Sequence, residues 1–179
     1  MIQIRRATVN DSAGIAKVQV DSYRTAYAGI FSQTYLDHFN YDEQAQDWYD
    51  WMMNKPHDLL YVAQTEAGEI VGYALGRPGL TEIPPYECEL MALHVRQSYQ
   101  RQGVGRSLMV KMAEQLQKQG CASLMLWVLA KNPACSFYEK LGGHLISERE
   151  IEPEEREKAV EVAYGWQELD RLEIFAEGA

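Results

Sequence analysis

Gln100-Arg101-Gln102-Gly103-Val104-Gly105 is the stretch on which the reading of this sequence turns. It stands between two segments of different period. Glu87 to Val95 reads as a strand. Gly103 to Gln119 reads as an amphipathic helix in which Val104, Leu108, Met112 and Leu116 recur every four residues. Arg106, Lys111, Gln115 and Lys118 fall elsewhere on that wheel, and Gly120 sits where a C-terminal cap belongs. The hexapeptide therefore occupies a helix mouth, where unpaired N–H groups carry about half a positive charge. Its two glycines let an anion approach the backbone with no Cβ in the way. Arg101 and Arg106 add direct charge pairing.

Three phosphate-binding patterns compete for such a loop, and spacing removes two. A Walker loop needs Gly-Lys and then Ser or Thr, but Gly105 is followed by Arg106-Ser107. A dinucleotide fingerprint needs a third glycine where Leu108 stands, and no clear strand with an acidic end comes after it. Charge supports a compact anion at this place. The chain carries a formal charge of -9, yet no acidic residue occurs from Leu90 through Ala113, where Arg96, Arg101, Arg106 and Lys111 lie. The overall acidity argues against general nucleic-acid or anionic-membrane binding, because both need basic surface.

Outward from the loop, the 179 residues suit a single domain with a core of about residues 2–170 and a tail at 171–179. No repeat, low-complexity stretch or Pro/Gly/Ser-rich linker interrupts it. Strands are expected at Ile2 to Arg6, Leu59 to Gln64, Glu69 to Leu75, Ser123 to Leu129 and Val160 to Trp166, besides Glu87 to Val95. Glu66-Ala67-Gly68 makes a hairpin turn, and Gly79 to Pro85 a loop. Asn10, Asp11 and Ser12 offer caps for a helix reaching about Tyr27, and residues 32–54 hold one or two more. Asn132 as N-cap and Pro133 at the first helical position start a short helix that closes at Gly142-Gly143. The expected total is six or seven strands and about four helices in one mixed α/β sheet. Cys88, Cys121 and Cys135 show no metal spacing and lie in or beside apolar segments, so they read as reduced, buried thiols of a cytoplasmic protein. No apolar run approaches the roughly 20 residues of a membrane helix.

Gln100, Gly103 and Gly105 match the Q/R-x-x-G-x-G/A pattern of the GNAT superfamily of N-acetyltransferases, and other segments agree in order. Leu93-His94-Val95 resembles that family's strand end. Asn132-Pro133-Ala134-Cys135-Ser136-Phe137-Tyr138-Glu139-Lys140-Leu141-Gly142-Gly143 resembles its N-P-[A/S]-x-x-F-Y-E-x-L-G-G segment, and Val162-Ala163-Tyr164-Gly165-Trp166 its last core strand. The likeness is most specific from Glu89 to Gly143 and extends more loosely over nearly the whole chain. Gln97 departs from the family's common proline, which bears on the loop's rigidity.

The resemblance implies a single-domain GNAT fold with a mostly antiparallel central sheet, and acetyl-coenzyme A as co-substrate. It implies that Gln100, Arg101, Gln102, Gly103, Val104, Gly105 and Arg106 hold the coenzyme diphosphate. Leu93, His94 and Val95 would hold the thioester carbonyl and pantetheine amides through backbone groups. Asn132 would contact the coenzyme, although its capping position explains it equally well. Acetyl would pass directly to an amine in a ternary complex, with no covalent enzyme intermediate. The rival reading is a non-catalytic acyl-coenzyme A sensor on the same scaffold. Homodimers are frequent in such a family.

Transfer from a thioester requires an amine that loses a proton, a stabilised carbonyl oxygen and a thiolate that leaves. Glu89, six residues before Val95, stands in the register of a glutamate that serves as base in histone-acetylating members. Among Leu90 to Leu93 a buried carboxylate would have a raised pKa, as a base near neutrality needs. Simple solvation at a strand start explains Glu89 equally well, and a water relay to another carboxylate stays open. Tyr138 resembles the family's general acid. Reference values near 10 for a phenol and 8.5 for a thiol leave roughly 2 kcal/mol against full proton transfer, so a hydrogen bond to the departing sulfur is the firmer expectation. Tyr138 also borders the apolar stripe Ala134, Phe137 and Leu141, where a purely structural aromatic would sit. His38, His57, His94 and His144 have no partners at ligand spacing, so no metal is expected. On the acceptor side, Tyr23, Tyr27, Phe31, Trp48 and Trp51, with Asp47 and Asp50, either line a pocket for a cationic amine or are helix-core aromatics.

Overall fold

The computed structural model describes residues 1–79, 81–152 and 158–169. The tail expected at 171–179 lies outside them. Seven strands form one sheet: β1 (Ile2–Arg6), β2 (Leu59–Thr65), β3 (Ile70–Pro78), β4 (Cys88–Val95), β5 (Leu124–Leu129), β6 (His144–Ile151) and β7 (Ala159–Trp166). Their spatial order is β1-β2-β3-β4-β5-β7-β6. Every neighbouring pair is antiparallel except β4 and β5. Helices α1 (Ser12–Ala26), α2 (Gln33–Asp37) and α3 (Tyr41–Asn54) precede β2, α4 (Val104–Lys118) joins β4 to β5, and α5 (Cys135–Lys140) comes after β5. This is the mixed α/β architecture expected from the pattern, with five α-helices among the described residues. Among the described residues no helix is long and apolar enough to cross a membrane.

Each face of the sheet has its own core. The stripe Leu108, Met109, Met112 and Leu116 on α4 packs against Val71, Ala74, Leu90 and Leu124. On the opposite face Ile15 and Val18 of α1 and Trp48 of α3 pack against Val62, Tyr73 and Leu75. A third cluster on that second face joins Tyr86, Met125 and Ala163. The alternation of Val160, Val162, Tyr164 and Trp166 with Glu161, Ala163, Gly165 and Gln167 suggests a half-exposed strand, but Val162 through Trp166 are all buried. Gly165 explains why. The ring of Tyr86 lies against it so closely that a Cβ there would stand 2.4 Å from a ring carbon.

The register between β4 and β5 opens a cleft in the middle of the sheet. Only Cys88↔Leu124 and Glu89↔Met125 pair, at the start of both strands. Beyond them β4 continues to pair with β3 alone. Leu75 pairs with Ala92 and Gly76 with Leu90, so Met91 is an extra residue. A bulge of this kind bends its strand and strengthens local twist. The two parallel strands therefore part into a V, and the β5-facing backbone of β4 past Glu89 is left without a ladder partner.

The narrow end of that V is tied. Cys88 at the head of β4 is paired with Cys121 just before β5, 33 positions later, with Cα atoms 6.1 Å apart. This corrects the reading of three separate reduced thiols; Cys135 is the free one. Spacing could not reveal the pair, because α4 brings distant positions together. Closing a loop of this length stabilises by about 4 kcal/mol in the chain-entropy account. Protein refolded under reducing conditions, or carrying Cys121→Ser, is expected to melt roughly 10 °C lower than oxidised wild type. Equal melting temperatures, with both thiols free to alkylation in unfolded wild type, would contradict the pairing.

Candidate functional site

The loop after β4 is built by local hydrogen bonds. The Gln100 side-chain amide donates to the carbonyl of Val95 (2.9 Å), which folds the loop back on the strand end. The Gln102 amide donates to the Ser98 carbonyl (2.9 Å). Gly103 is the N-cap of α4 at φ 83, a left-handed conformation that favours glycine. A Cβ at Gly103 would find nothing within 4 Å, so the surface in front of the helix mouth is open. Arg101 also has positive φ, at 61. The first N–H groups of a fifteen-residue helix face this opening.

Of the four cations in the basic window, two are spent elsewhere. Arg96 pairs with Glu69 and, at 3.6 Å, with Asp21, linking β4 to the β2–β3 turn and α1. Lys111 pairs with Glu114 at 3.1 Å. Arg101 and Arg106 make no ion pair among the described residues, and the Nε of Arg106 is buried without a partner. The uncompensated charge thus gathers at the loop itself.

The segments singled out from sequence meet at the V. A Cβ on Gly105 would lie 3.5 Å from the Phe137 ring and 3.8 Å from Leu93, so α4, α5 and β4 touch at one point. Helix α5 starts at Cys135, two residues later than Asn132-Pro133 implied. Ala134 is the N-cap, so Asn132 does not cap the helix as expected; its Oδ1 accepts the N–H of Ala134 (2.9 Å) in the turn just ahead of it. The helix is anchored from behind by β7. Trp166 donates its indole N–H to the Leu141 carbonyl (2.8 Å), and the Tyr164 hydroxyl donates to Glu139 (2.7 Å).

Tyr138 is held by Phe137, Tyr164 and Trp166, with ring centroids 5.2, 6.2 and 6.3 Å away. Only 6% of the residue is exposed, and no described group hydrogen-bonds its hydroxyl. Burial, and to a smaller degree Cys135, pushes this phenol well above its ordinary value. Tyr27, at the end of α1, lies within electrostatic reach of it. Burial raises the Tyr27 phenol most, followed by Tyr23, Tyr138, Glu161 and Tyr35. The end of α1 and the chain toward α2 therefore approach Tyr138 and β7.

Glu89 stands opposite Arg77 on β3 and Met125 on β5, at the last paired rung before the strands part. Burial lifts its carboxyl above the usual range and Glu82 adds to this, while Arg149 and Arg77 pull it down. His94 is flanked by Tyr23 and Tyr73 at 5.4 and 5.3 Å, and burial depresses its imidazole to about 4. It is neutral at neutral pH. A histidine that folds neutral but charges when unfolded contributes stability above pH 6.5 that is lost as pH falls through about 4. The shift corresponds to about 3 kcal/mol at most. His94→Gln is expected to flatten urea-measured stability between pH 6.5 and 4, and an unchanged slope would refute this.

The acceptor-side aromatics separate into two groups. Trp48 is a core residue, edge-on to Tyr73 and donating to Gln19 (2.6 Å). Trp51 lies under the Arg77 guanidinium, and Asp47 and Asp50 bond Gln44 and Gln46 on the outer face of α3. Tyr23, Tyr27 and Phe31 instead continue through Tyr35 to Phe39 in one aromatic chain near the V. A further group carries no local signature in the sequence. Arg149 of β6 lies 3.9 Å over the Trp127 ring and bridges Glu161 (2.9 Å) and Glu82 (3.0 Å). Among the described residues no group of three His, Cys, Asp or Glu could hold a metal ion.

Two central parallel strands that part beside a glycine-capped helix mouth leave an open strand edge next to uncompensated positive charge. Residues 20–143 match the acetyltransferase (GNAT) family, and the chain belongs to that family of acetyl-coenzyme A-dependent N-acetyltransferases. It is 36% identical over 174 residues to the uncharacterized N-acetyltransferase YuaI of Bacillus subtilis, covering 96% of each chain. It is 22% identical over 148 residues to the spermidine N(1)-acetyltransferase of Thermoplasma acidophilum, covering 79% of this chain and 87% of that one. The crystal structure of PaiA N-acetyltransferase from Thermoplasma acidophilum in complex with coenzyme A shares the fold. Its TM-score is 0.71 at 20% identity, over 90% of this chain and 98% of that one.

Proposed function

We propose that this chain transfers acetyl directly from acetyl-coenzyme A to a primary amine of a small molecule or peptide, with Glu89 as base and Tyr138 beside the leaving sulfur. The observation that carries this reading is the convergence of Leu93, Gly105 and Phe137 at the mouth of the V. The coenzyme diphosphate lies on the N–H groups of Gln100 to Gly105, with Arg101 and Arg106 completing its charge. Gln102 and Val104 contribute backbone, and Gln100 holds the loop's shape through Val95. Pantetheine runs along the unladdered edge of β4, taking backbone groups of Leu93, His94 and Val95. Asn132, whose Oδ1 shapes the turn ahead of α5 by accepting the Ala134 N–H, completes the coenzyme contacts.

These placements set the order of chemical events. An amine arriving as ammonium gives up a proton to Glu89, directly or through water. Its nitrogen then attacks the thioester carbonyl carbon, the carbon–sulfur bond breaks, and the thiolate leaves against the Tyr138 hydroxyl; the second proton lost from nitrogen passes through solvent to that sulfur, giving a neutral amide and coenzyme A thiol. The acidic chain attracts cationic acceptors, and a relative named for spermidine acetylation makes polyamines a necessary part of the test. The test is turnover of acetyl-coenzyme A over a panel of monoamines, polyamines, lysine peptides and free peptide N-termini. Acetylated product from at least one amine is expected. Tight coenzyme binding with no acetylated amine anywhere in the panel would favour an acyl-coenzyme A sensor instead.

A further inference from the structure

The group built around Arg149 belongs to no part of the coenzyme site. Its floor is Trp127, whose ring lies 3.9 Å beneath the guanidinium. Two carboxylates flank the cation: Glu161, its cross-strand partner on β7, and Glu82, which reaches in from the loop before β4 across 67 positions. An aromatic face with two carboxylates beside it is a box for one cation. Here the protein fills that box with its own side chain.

The box sits beside the proposed base. Met125 pairs with Glu89, and Trp127 is two residues further along β5, so Glu89, Met125 and Trp127 share one face. Two residues of strand place Trp127 roughly 7 Å beyond that rung, toward the open end of the V. An acceptor amine presented to Glu89 would carry its remaining atoms past Arg149. Of the charges bearing on Glu89, Glu82 and Glu161 are acidic and Arg149 and Arg77 basic. Arg77 is committed to Asp58 at 3.0 Å. Arg149, partly exposed and paired with a Glu82 side chain that is 77% exposed, is the one set at the opening.

We propose that Arg149 is a specificity-determining residue of the acceptor site. Its guanidinium fills the box of Trp127, Glu161 and Glu82, bars a second ammonium group of the acceptor from it, and so selects amines carrying a single positive charge near the reacting nitrogen. The proposal rests on the acceptor approaching Glu89 over this face. Emptying the box has two consequences of different kind. A diamine or polyamine gains a cation site, and Glu89 loses a neighbouring positive charge.

The experiment compares wild type, Arg149→Gln, Arg149→Lys and Glu82→Gln on a short aliphatic monoamine and the matching diamine, each across pH. In Arg149→Gln the ratio of kcat/KM for diamine over monoamine is expected to rise on the order of tenfold. The acid limb of the kcat/KM profile moves to higher pH, since removing a cation makes Glu89 harder to ionise. Arg149→Lys keeps both near the wild-type values. Glu82→Gln, a change at an exposed loop side chain, moves the acid limb the opposite way and serves if Arg149→Gln does not fold. An unchanged ratio in Arg149→Gln overturns the proposal, as does a Glu82→Gln limb that stays fixed or moves up. If Glu89→Gln leaves turnover untouched, the approach over this face is wrong. If Glu89→Gln slows turnover while the Arg149 variants change nothing, only the selection by Arg149 fails.

Discussion

Glu89→Gln is expected to lower kcat/KM for the amine by about 10²–10³-fold, the usual worth of a positioned general base. The dissociation constant for coenzyme A should stay within about twofold, because Glu89 lies on the last paired rung of β4 and not on the open edge or loop. The amide preserves shape and removes only the ability to take a proton. The pH profile carries the sign. Burial, then Glu82, holds this carboxyl above its ordinary range, so wild-type kcat/KM declines as pH falls through that raised value. The variant should lose this limb. A fall of less than threefold, with the acid limb intact, would move the base elsewhere.

Tyr138→Phe carries the second large effect: kcat is expected to fall about 10–50-fold, the worth of one hydrogen bond to a charged leaving group. The ring would still pack against Phe137, Tyr164 and Trp166, so the melting temperature should change little. Environment decides how the hydroxyl acts. Burial drives this phenol above its ordinary value, which makes complete proton transfer to a thiolate still less favourable than reference values imply. In the proposed mechanism Tyr138 is thus a hydrogen-bond donor that keeps its proton across the neutral range. A leaving group of lower pKa should need it less, so the variant's defect should shrink with an aryl thioester. An equal defect for both thioesters, or none at all, would contradict this role.

Much of the fold lay open in local pattern. The four-residue apolar spacing of α4, the unbroken run of β5 and the Gly68 turn are short-range features, and each forms where its sequence indicates. The shape of the loop before α4 was legible for the same reason, because a helix mouth, its glycines and its cations are contiguous in the chain. What escaped was set by tertiary packing. His144 to Ile151 is an edge strand whose many exposed and charged residues blur the alternation that marks strands, so β6 was not expected, and Arg149 went unnoticed with it. The burial of Ala163 and Gly165 depends on Tyr86, about 80 residues away. Trp48 and Tyr23 looked equivalent as helix-borne aromatics; only their ring neighbours, Tyr73 for one and Phe39 and His94 for the other, separate them. The pairing of Cys88 with Cys121 belongs to the same class.

The proposed activity depends most on main-chain donors at the mouth of α4 receiving the coenzyme's diphosphate. Calorimetric titration of coenzyme A, and of pantetheine lacking the diphosphate, into wild type and Gly103→Ala measures this directly. A side chain at Gly103 must adopt φ 83, which strains the cap, and it projects a methyl into the space the diphosphate needs. Coenzyme A should bind wild type and lose at least about tenfold in affinity in the variant, with weak pantetheine binding equal in both. Failure of wild type to bind coenzyme A, or equal coenzyme A affinity in the two proteins, would contradict this placement of the diphosphate.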